Sequence, residues 1–279
     1  MLKRRFATID IGQVHYRTAG EEHRGNGRRP LILMHASPFP GRALSPLTEA
    51  MGTTRRAIAP DNLGQGDSCA PQHPSPTIEY FGDKLVAFLD ALGIAEADLY
   101  GTHTGGHTVM DVALRYPKRV HKLILDGIGI LRPELTRSYV AHLREAPPFD
   151  FTGAQMMWSF QTARDMLTFF PYYERDTAHR RVRDLPPALD IHARALELLR
   201  RRDTFHLAYI AAFQANPGGR KYSALKVPTL YTAAAMDAIE GGFEETAAMI
   251  PGVEVYRYPQ TSAVDYAAGA IKFAAWLDS

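Results

Sequence analysis

Asp98-Leu99-Tyr100-Gly101-Thr102-His103-Thr104-Gly105-Gly106-His107 is the stretch that decides how this chain is read. Its first residues form a short apolar run suited to a buried strand. The glycines that follow permit a tight turn, and the segment from Thr104 onward has the pattern of a helix. The turn has the form G-x-H-x-G, with His103 at its centre. The chain holds eleven histidines, and none follows His206.

Working outward, short apolar runs alternate with helical patterns: Leu31-Ile32-Leu33-Met34, Ala57-Ile58-Ala59, Leu99-Tyr100, Val120 to Leu125, Val227 to Tyr231 and Val253 to Tyr258. Such alternation predicts a mostly parallel sheet flanked by helices, an α/β class. Ahead of it, Ile9-Ile11 and Val14-Tyr16 alternate on either side of Gly12-Gln13, which predicts an antiparallel entry hairpin. Tyr80-Phe81, Leu85-Val86, Phe88-Leu89 and Leu92 recur at helical spacing, as do Ala267, Ala270, Ile271, Ala274 and Leu277, so both helices are expected to pack on the sheet.

Between about Leu131 and Asn216 the alternation stops, and the residues suit several helices separated by Pro147-Pro148, Pro171 and Pro186-Pro187. The chain therefore divides into a core of residues 1–130 and 217–279 and a helical lid of residues 131–216. The lid is dense in large apolar residues, among them Phe149, Phe151, Met156 and Met157. Its aromatic residues would line an apolar pocket if the segment folds over the sheet edge, and Trp158, Phe169 and Phe170 are the candidates for contact with a substrate. The Arg180-Arg181 and Arg200-Arg201-Arg202 runs have acids interspersed and are expected to be solvated faces.

Composition bounds the rest. At 279 residues and 46% hydrophobic content the chain can bury a large core. Lysine and arginine number 32 against 30 acids, a net charge of +2, which supplies no field for a nucleic-acid partner. The single cysteine, Cys69, excludes an internal disulfide and a multi-cysteine metal site, and it fits a reducing compartment; cytoplasm is the expectation. The basic start Met1-Leu2-Lys3-Arg4-Arg5-Phe6 leads into no apolar run of signal-peptide length. Nor does any segment approach the roughly 18 uninterrupted apolar residues of a membrane span. Neither a dinucleotide fingerprint nor a phosphate loop nor a metal cluster stands out, so no cofactor is expected.

Four segments in order resemble the alpha/beta-hydrolase superfamily. His35-Ala36-Ser37-Pro38 is similar to the H-G-x-P loop after the third strand, with Ala36 in place of the usual glycine. Asp61-Asn62-Leu63-Gly64-Gln65-Gly66-Asp67-Ser68 is similar to the family's D-x-x-G-x-G-x-S loop. The Gly101–Gly105 turn stands where the family carries G-x-S-x-G, an elbow that points its central side chain into the active site. Val227-Pro228-Thr229-Leu230 followed by Asp237 looks like the strand and loop that deliver the triad acid, with Ala234 replacing a glycine. The resemblance implies an alpha/beta-hydrolase fold with an inserted lid. It also implies an oxyanion hole from the N–H groups of Ser37 and Thr104, and it makes His35 a loop-bracing residue close enough to that hole to be a candidate for substrate contact.

Two departures change the expected chemistry. The elbow carries His103 instead of serine, and the loop Tyr258-Pro259-Gln260-Thr261-Ser262-Ala263-Val264-Asp265 lacks the histidine that should follow the last strand. Without that base a serine hydroxyl cannot attack at neutral pH, which disfavours Ser-His-Asp acyl transfer. A neutral imidazole at position 103 can instead act as a general base on water or on a substrate carbon or hydroxyl, with Asp126 or Asp237 orienting it. The expected substrate is a small, largely apolar carbonyl compound: an ester, lactone or ketone. Direct attack by His103 to give an acyl-imidazole ranks second. Competing readings are a ligand-binding protein without turnover and, by fold analogy alone, a C–C lyase or cofactor-free oxygenase. His107, four residues on, invites a metal reading, but no carboxylate completes a known spacing and packing near the sheet is expected.

Overall fold

The computed structural model describes residues 1–143, 146–182, 184–235, 237, 242–259 and 266–279. Strands β1 (Lys3–Ile9), β2 (Gly12–Ala19), β3 (Leu31–Met34), β4 (Ala57–Pro60), β5 (Ala97–Thr102), β6 (Val120–Asp126), β7 (Thr229–Ala234) and β8 (Glu254–Tyr258) form one eight-stranded sheet in the order β1-β2-β4-β3-β5-β6-β7-β8. β1 and β2 form the antiparallel entry hairpin, β2 also runs antiparallel to β4, and every other pairing is parallel. This is the alpha/beta-hydrolase fold that the sequence predicts.

The interior strands β3, β4, β5 and β7 are buried along their whole length, as continuous apolar runs covered on both faces must be. In the central register Tyr100 sits opposite Ile124, and Ile124 opposite Leu230, each fully buried. Burial of side chains of this size stabilises by about 1.5–3 kcal/mol each. Helices α2 (Ile78–Ala91) and α3 (Thr104–Arg115) cover one face, and α1 (Ser45–Met51) and α9 (Ala270–Asp278) the other. In α9 the buried residues are Phe273, Trp276 and Leu277, whereas Ile271, expected to face the sheet, is exposed. The aromatic rings at 273 and 276 set the helix rotation.

Register also positions the site. Thr102 pairs with Asp126 and Asp126 with Thr232, so β5, β6 and β7 end level and their following residues converge. Between β6 and β7 lie helices α4 (Pro133–Leu143), α5 (Ala154–Thr168), α6 (Ala188–Arg200) and α7 (Phe205–Gln214), which share a core of their own around Tyr139, Leu198 and Phe205. A single bridge, Phe169 to Arg180, is the extended pairing among the described residues of this stretch. α8 (Phe243–Met249) follows β7.

Candidate active site

The turn between β5 and α3 is strained as an elbow requires. His103 has φ 47° and ψ −110°, and among the described residues it is the one non-glycine with positive φ. Its N–H donates to Asp126 O at 3.0 Å, and its own carbonyl accepts from His107 N at 3.1 Å to begin α3. A Cβ at Gly105 would stand 2.2 Å from Met34 O, and one at Gly101 would stand 2.4 Å from Gly105 O. Both contacts are with backbone, so β3, β5 and α3 approach this closely only because the two positions are glycine.

The elbow aims His103 at Asp237. Nε2 lies 3.2 Å from Asp237 Oδ2, so the carboxylate holds the Nε2 proton and Nδ1 is the basic nitrogen. Gly127, at φ 60°, makes room for this pair: a Cβ there would be 2.5 Å from Asp237 Oδ2 and 2.9 Å from His103 Cε1. Burial acts to lower the His103 pKa, but the charge and hydrogen bond of Asp237 and the charge of Asp126 more than offset it, and the pKa is raised.

Asp126 is differently held. Tyr100 Oη donates to its Oδ2 at 2.5 Å, Tyr258 Oη to the same oxygen at 2.9 Å, and Thr232 Oγ1 to Oδ1 at 2.8 Å. Burial pushes its carboxyl up to about 6, aided by the nearby charge of Asp237, although the three hydroxyls favour the ionised form. Of the two acids left open by the sequence, Asp237 is therefore the one in contact with the His103 ring, while Asp126 accepts hydroxyls behind it.

Ser37 and Thr104 line the same cavity as His103. Among the described residues neither backbone N–H donates to a protein acceptor. Gln65 Nε2 donates to Ser37 Oγ at 2.8 Å and to Phe205 O at 3.0 Å, tying the Ser37 loop to α7. The cavity, about 140 Å³, has apolar walls that include Phe39, Leu131, Met166, Phe170 and Phe213. Its lining also includes His103 and Asp237, two polar residues that sequence reasoning missed, Arg194 and Tyr266, and Arg181, which was expected on a solvated face and instead reaches the cavity. The Arg194 guanidinium lies 4.2 Å from the Phe39 ring centroid and has no carboxylate partner among the described residues; burial lowers its pKa. Asp190, one helical turn earlier, gives Arg194 the sequence look of an exposed i,i+4 pair, which hides it.

Several expected contacts lie elsewhere. Phe170 lines the cavity, but His35, Trp158 and Phe169 are not among its walls. His35 is buried as a brace: its Nε2 accepts from Asn62 N at 2.8 Å and its Nδ1 meets Ala36 O at 2.9 Å, which joins two loops and occupies both ring nitrogens. Trp158 packs edge-on against Phe205 in the helical core, and Phe169 is spent on its backbone bridge. Phe149, Phe151, Met156 and Met157 are exposed and are not among the cavity walls.

His107 also lines the cavity, buried and neutral, with its pKa lowered to about 4 by burial and by His103. Among the described residues it joins no cluster of metal-ligating atoms. Such a cluster occurs at Glu174, Asp176 and His179, where His179 Nδ1 meets Asp176 Oδ1 at 2.9 Å in a surface turn outside the cavity. The loop 260–265, where a late histidine was looked for, lies outside the described residues.

The sequence profile of the alpha/beta hydrolase fold matches residues 41–267, and the chain belongs to that family. Among characterised relatives, the 2-hydroxymuconate semialdehyde hydrolase of Pseudomonas putida is 36% identical over 110 residues, 37% of this chain and 38% of that protein. The chain thus matches well under two thirds of that relative's length. A 2-hydroxy-6-oxononadienedioate/2-hydroxy-6-oxononatrienedioate hydrolase of Klebsiella pneumoniae is 27% identical over 250 residues, covering 81% of this chain and 76% of its own. Among solved structures, the enol-lactonase of Burkholderia xenovorans superposes with a TM-score of 0.74 at 20% identity, covering 98% of both chains. At that identity the likeness shows the fold. No helix among the described residues is long and apolar enough to cross a membrane.

Proposed function

We propose that the protein is an enzyme that hydrolyses or cleaves a small carbonyl compound bearing an acidic group, with His103 as general base and no serine nucleophile. The observation that carries this reading is the 3.2 Å contact of the elbow imidazole with the Asp237 carboxylate, both of which line the cavity. In the hydrolytic form, His103 Nδ1 takes a proton from water as the water oxygen bonds to the substrate carbonyl carbon. The Ser37 and Thr104 N–H groups receive the oxyanion, and Asp237 stabilises the imidazolium. Collapse of the tetrahedral intermediate breaks the bond to the leaving group, which takes the proton back from His103.

The expectation of a small, largely apolar carbonyl substrate is refined by Arg194. A half-buried guanidinium stacked on Phe39 and lining the cavity suits a carboxylate on the substrate. The helices over residues 131–216 then act as the lid that supplies this cation and the apolar wall. Hydrolase names among the relatives support the reaction class. The same steps with a stabilised carbanion as leaving group, which takes the proton from His103 on carbon, would serve C–C cleavage, and an acyl-imidazole at His103 is the second reading, supported by the elbow position itself.

Paired esters or lactones of the same acyl group, with and without a carboxylate, test the reading. We expect the carboxylate-bearing members to be preferred, His103→Ala to lose about 10²–10⁴-fold in kcat, and Arg194→Met to lose only the preference, about ten- to hundredfold in kcat/KM. Tight binding of such compounds with no turnover in wild type or His103→Ala would replace the enzyme by a binding protein. A mass increase on His103 in quenched reactions would select the acyl-imidazole.

A further inference from the structure

Behind the catalytic cavity lies a second chamber, about 230 Å³, between the loop after β6, the start of α4 and the end of α7. Gly129, Thr136, Arg137, Gln214 and Asn216 contribute to its lining. Four described residues, His107, Leu131, Ala212 and Phe213, line both spaces. Three of those are apolar. His107 is the polar one, it is 7% exposed, and its side chain makes no hydrogen bond among the described residues, with Nδ1 buried and unpartnered.

Burying an imidazole whose ring nitrogen has no partner is costly. Such a ring persists more cheaply where small molecules satisfy it, and a space of this volume whose mainly apolar walls also carry Thr136, Arg137, Gln214 and Asn216 has room and partners for several waters. We propose that the second chamber is a water port, through which water reaches the catalytic cavity past His107 while the substrate fills that cavity. The inference rests on the hydrolytic reading above, in which water is the co-substrate and the apolar walls around His103 exclude it from the substrate side. A neutral imidazole suits the junction because one ring nitrogen donates while the other accepts, so a water file passes without a charged barrier. Its neutrality follows from burial and from the proximity of His103 and Lys221, which lower its pKa to about 4.

The test is water-to-ring cross-relaxation at His107, read by NMR on histidine-labelled protein with the signal assigned through His107→Gln. We expect wild-type protein to show the water contact and Thr136→Trp, which plugs the chamber from α4, to lose it. Gln214→Trp plugs the same chamber from α7 and replaces Thr136→Trp if that variant does not fold. Phe170→Trp, which crowds the catalytic cavity alone, should keep the contact. A dry His107 in wild type, or a contact that survives the chamber plug and vanishes with Phe170→Trp, overturns the port. Because the measurement needs no turnover, an inactive protein with a wet chamber breaks only the catalytic reading, and an active one with a dry chamber breaks only the port.

Discussion

Strands β6 and β7 lie side by side, and each hands a carboxylate to the same end of the sheet, yet the two are prepared for different work. Asp126 is the last residue of β6 and is fixed by regular strand register, with three hydroxyls closed around it and its pKa raised to about 6. Asp237 stands three residues beyond β7, held by a turn in which its N–H donates to Ala234 O at 3.0 Å, and it meets the His103 ring. Neutral donors share a buried charge without cancelling it, whereas an imidazole can take up a full opposite charge. The first arrangement builds a rigid polar core under the elbow. The second sets a carboxylate against a ring that can be protonated.

The comparison breaks most visibly in stability. Asp126→Leu leaves three buried hydroxyls without an acceptor, each worth about 1–3 kcal/mol; we expect a loss of several kcal/mol in urea unfolding, with Asp126→Asn much milder. Equal stability of Asp126→Leu and wild type would show that the hydroxyl cage is not structural. On the activity side, Asp237→Asn should lower kcat/KM by about a hundredfold or more, because the His103 ring loses both orientation and a counter-charge. The acid limb of its pH–rate profile should move to lower pH, since the raised His103 pKa depends on that carboxylate. A larger rate loss in Asp126→Asn than in Asp237→Asn would reverse the assignment of the two acids.

A smaller effect follows from pH. The folded pKa of Asp126 lies above its ordinary 3.8, so its favourable contribution is full below about pH 3.8 and is lost as pH rises to about 6. The change is on the order of 2–3 kcal/mol. Unfolding free energies compared between wild type and Asp126→Asn should diverge across that window and run parallel above it. The smallest effect is expected for Thr232→Val, which removes one donor and keeps the volume: about 1 kcal/mol of stability, with the Asp126 carboxyl titrating still higher by carbon NMR.

The sheet and the elbow were legible in the sequence because their signals are local. Short apolar runs such as Leu31–Met34 fit strands covered on both faces, whereas the run that becomes β8 lies at the sheet edge and is mostly exposed, and Gly101 and Gly105 flank His103 at the spacing of a tight turn. The pairing of His103 with Asp237 and not Asp126 was not legible, because it depends on Gly127 leaving space between two loops. Aromatic density in residues 131–216 likewise gave no orientation. Phe170 faces the cavity, while Trp158 and Phe169 serve the helical core and a backbone bridge, and Phe149 and Phe151 face solvent. Arg194 escaped notice because a charged residue on an amphipathic helix normally points outward, and here the Phe39 ring draws it inward.

The backbone contacts at Gly101 and Gly105 place their demand on the chain without regard to which side chain the turn presents. Holder and reagent are therefore separable: the socket at position 103 can exchange one reactive group for another while its two flanking glycines stay fixed by collision with Met34 and with each other. In this chain the socket keeps its two glycines and presents an imidazole, so a single codon decides which side chain the scaffold aims.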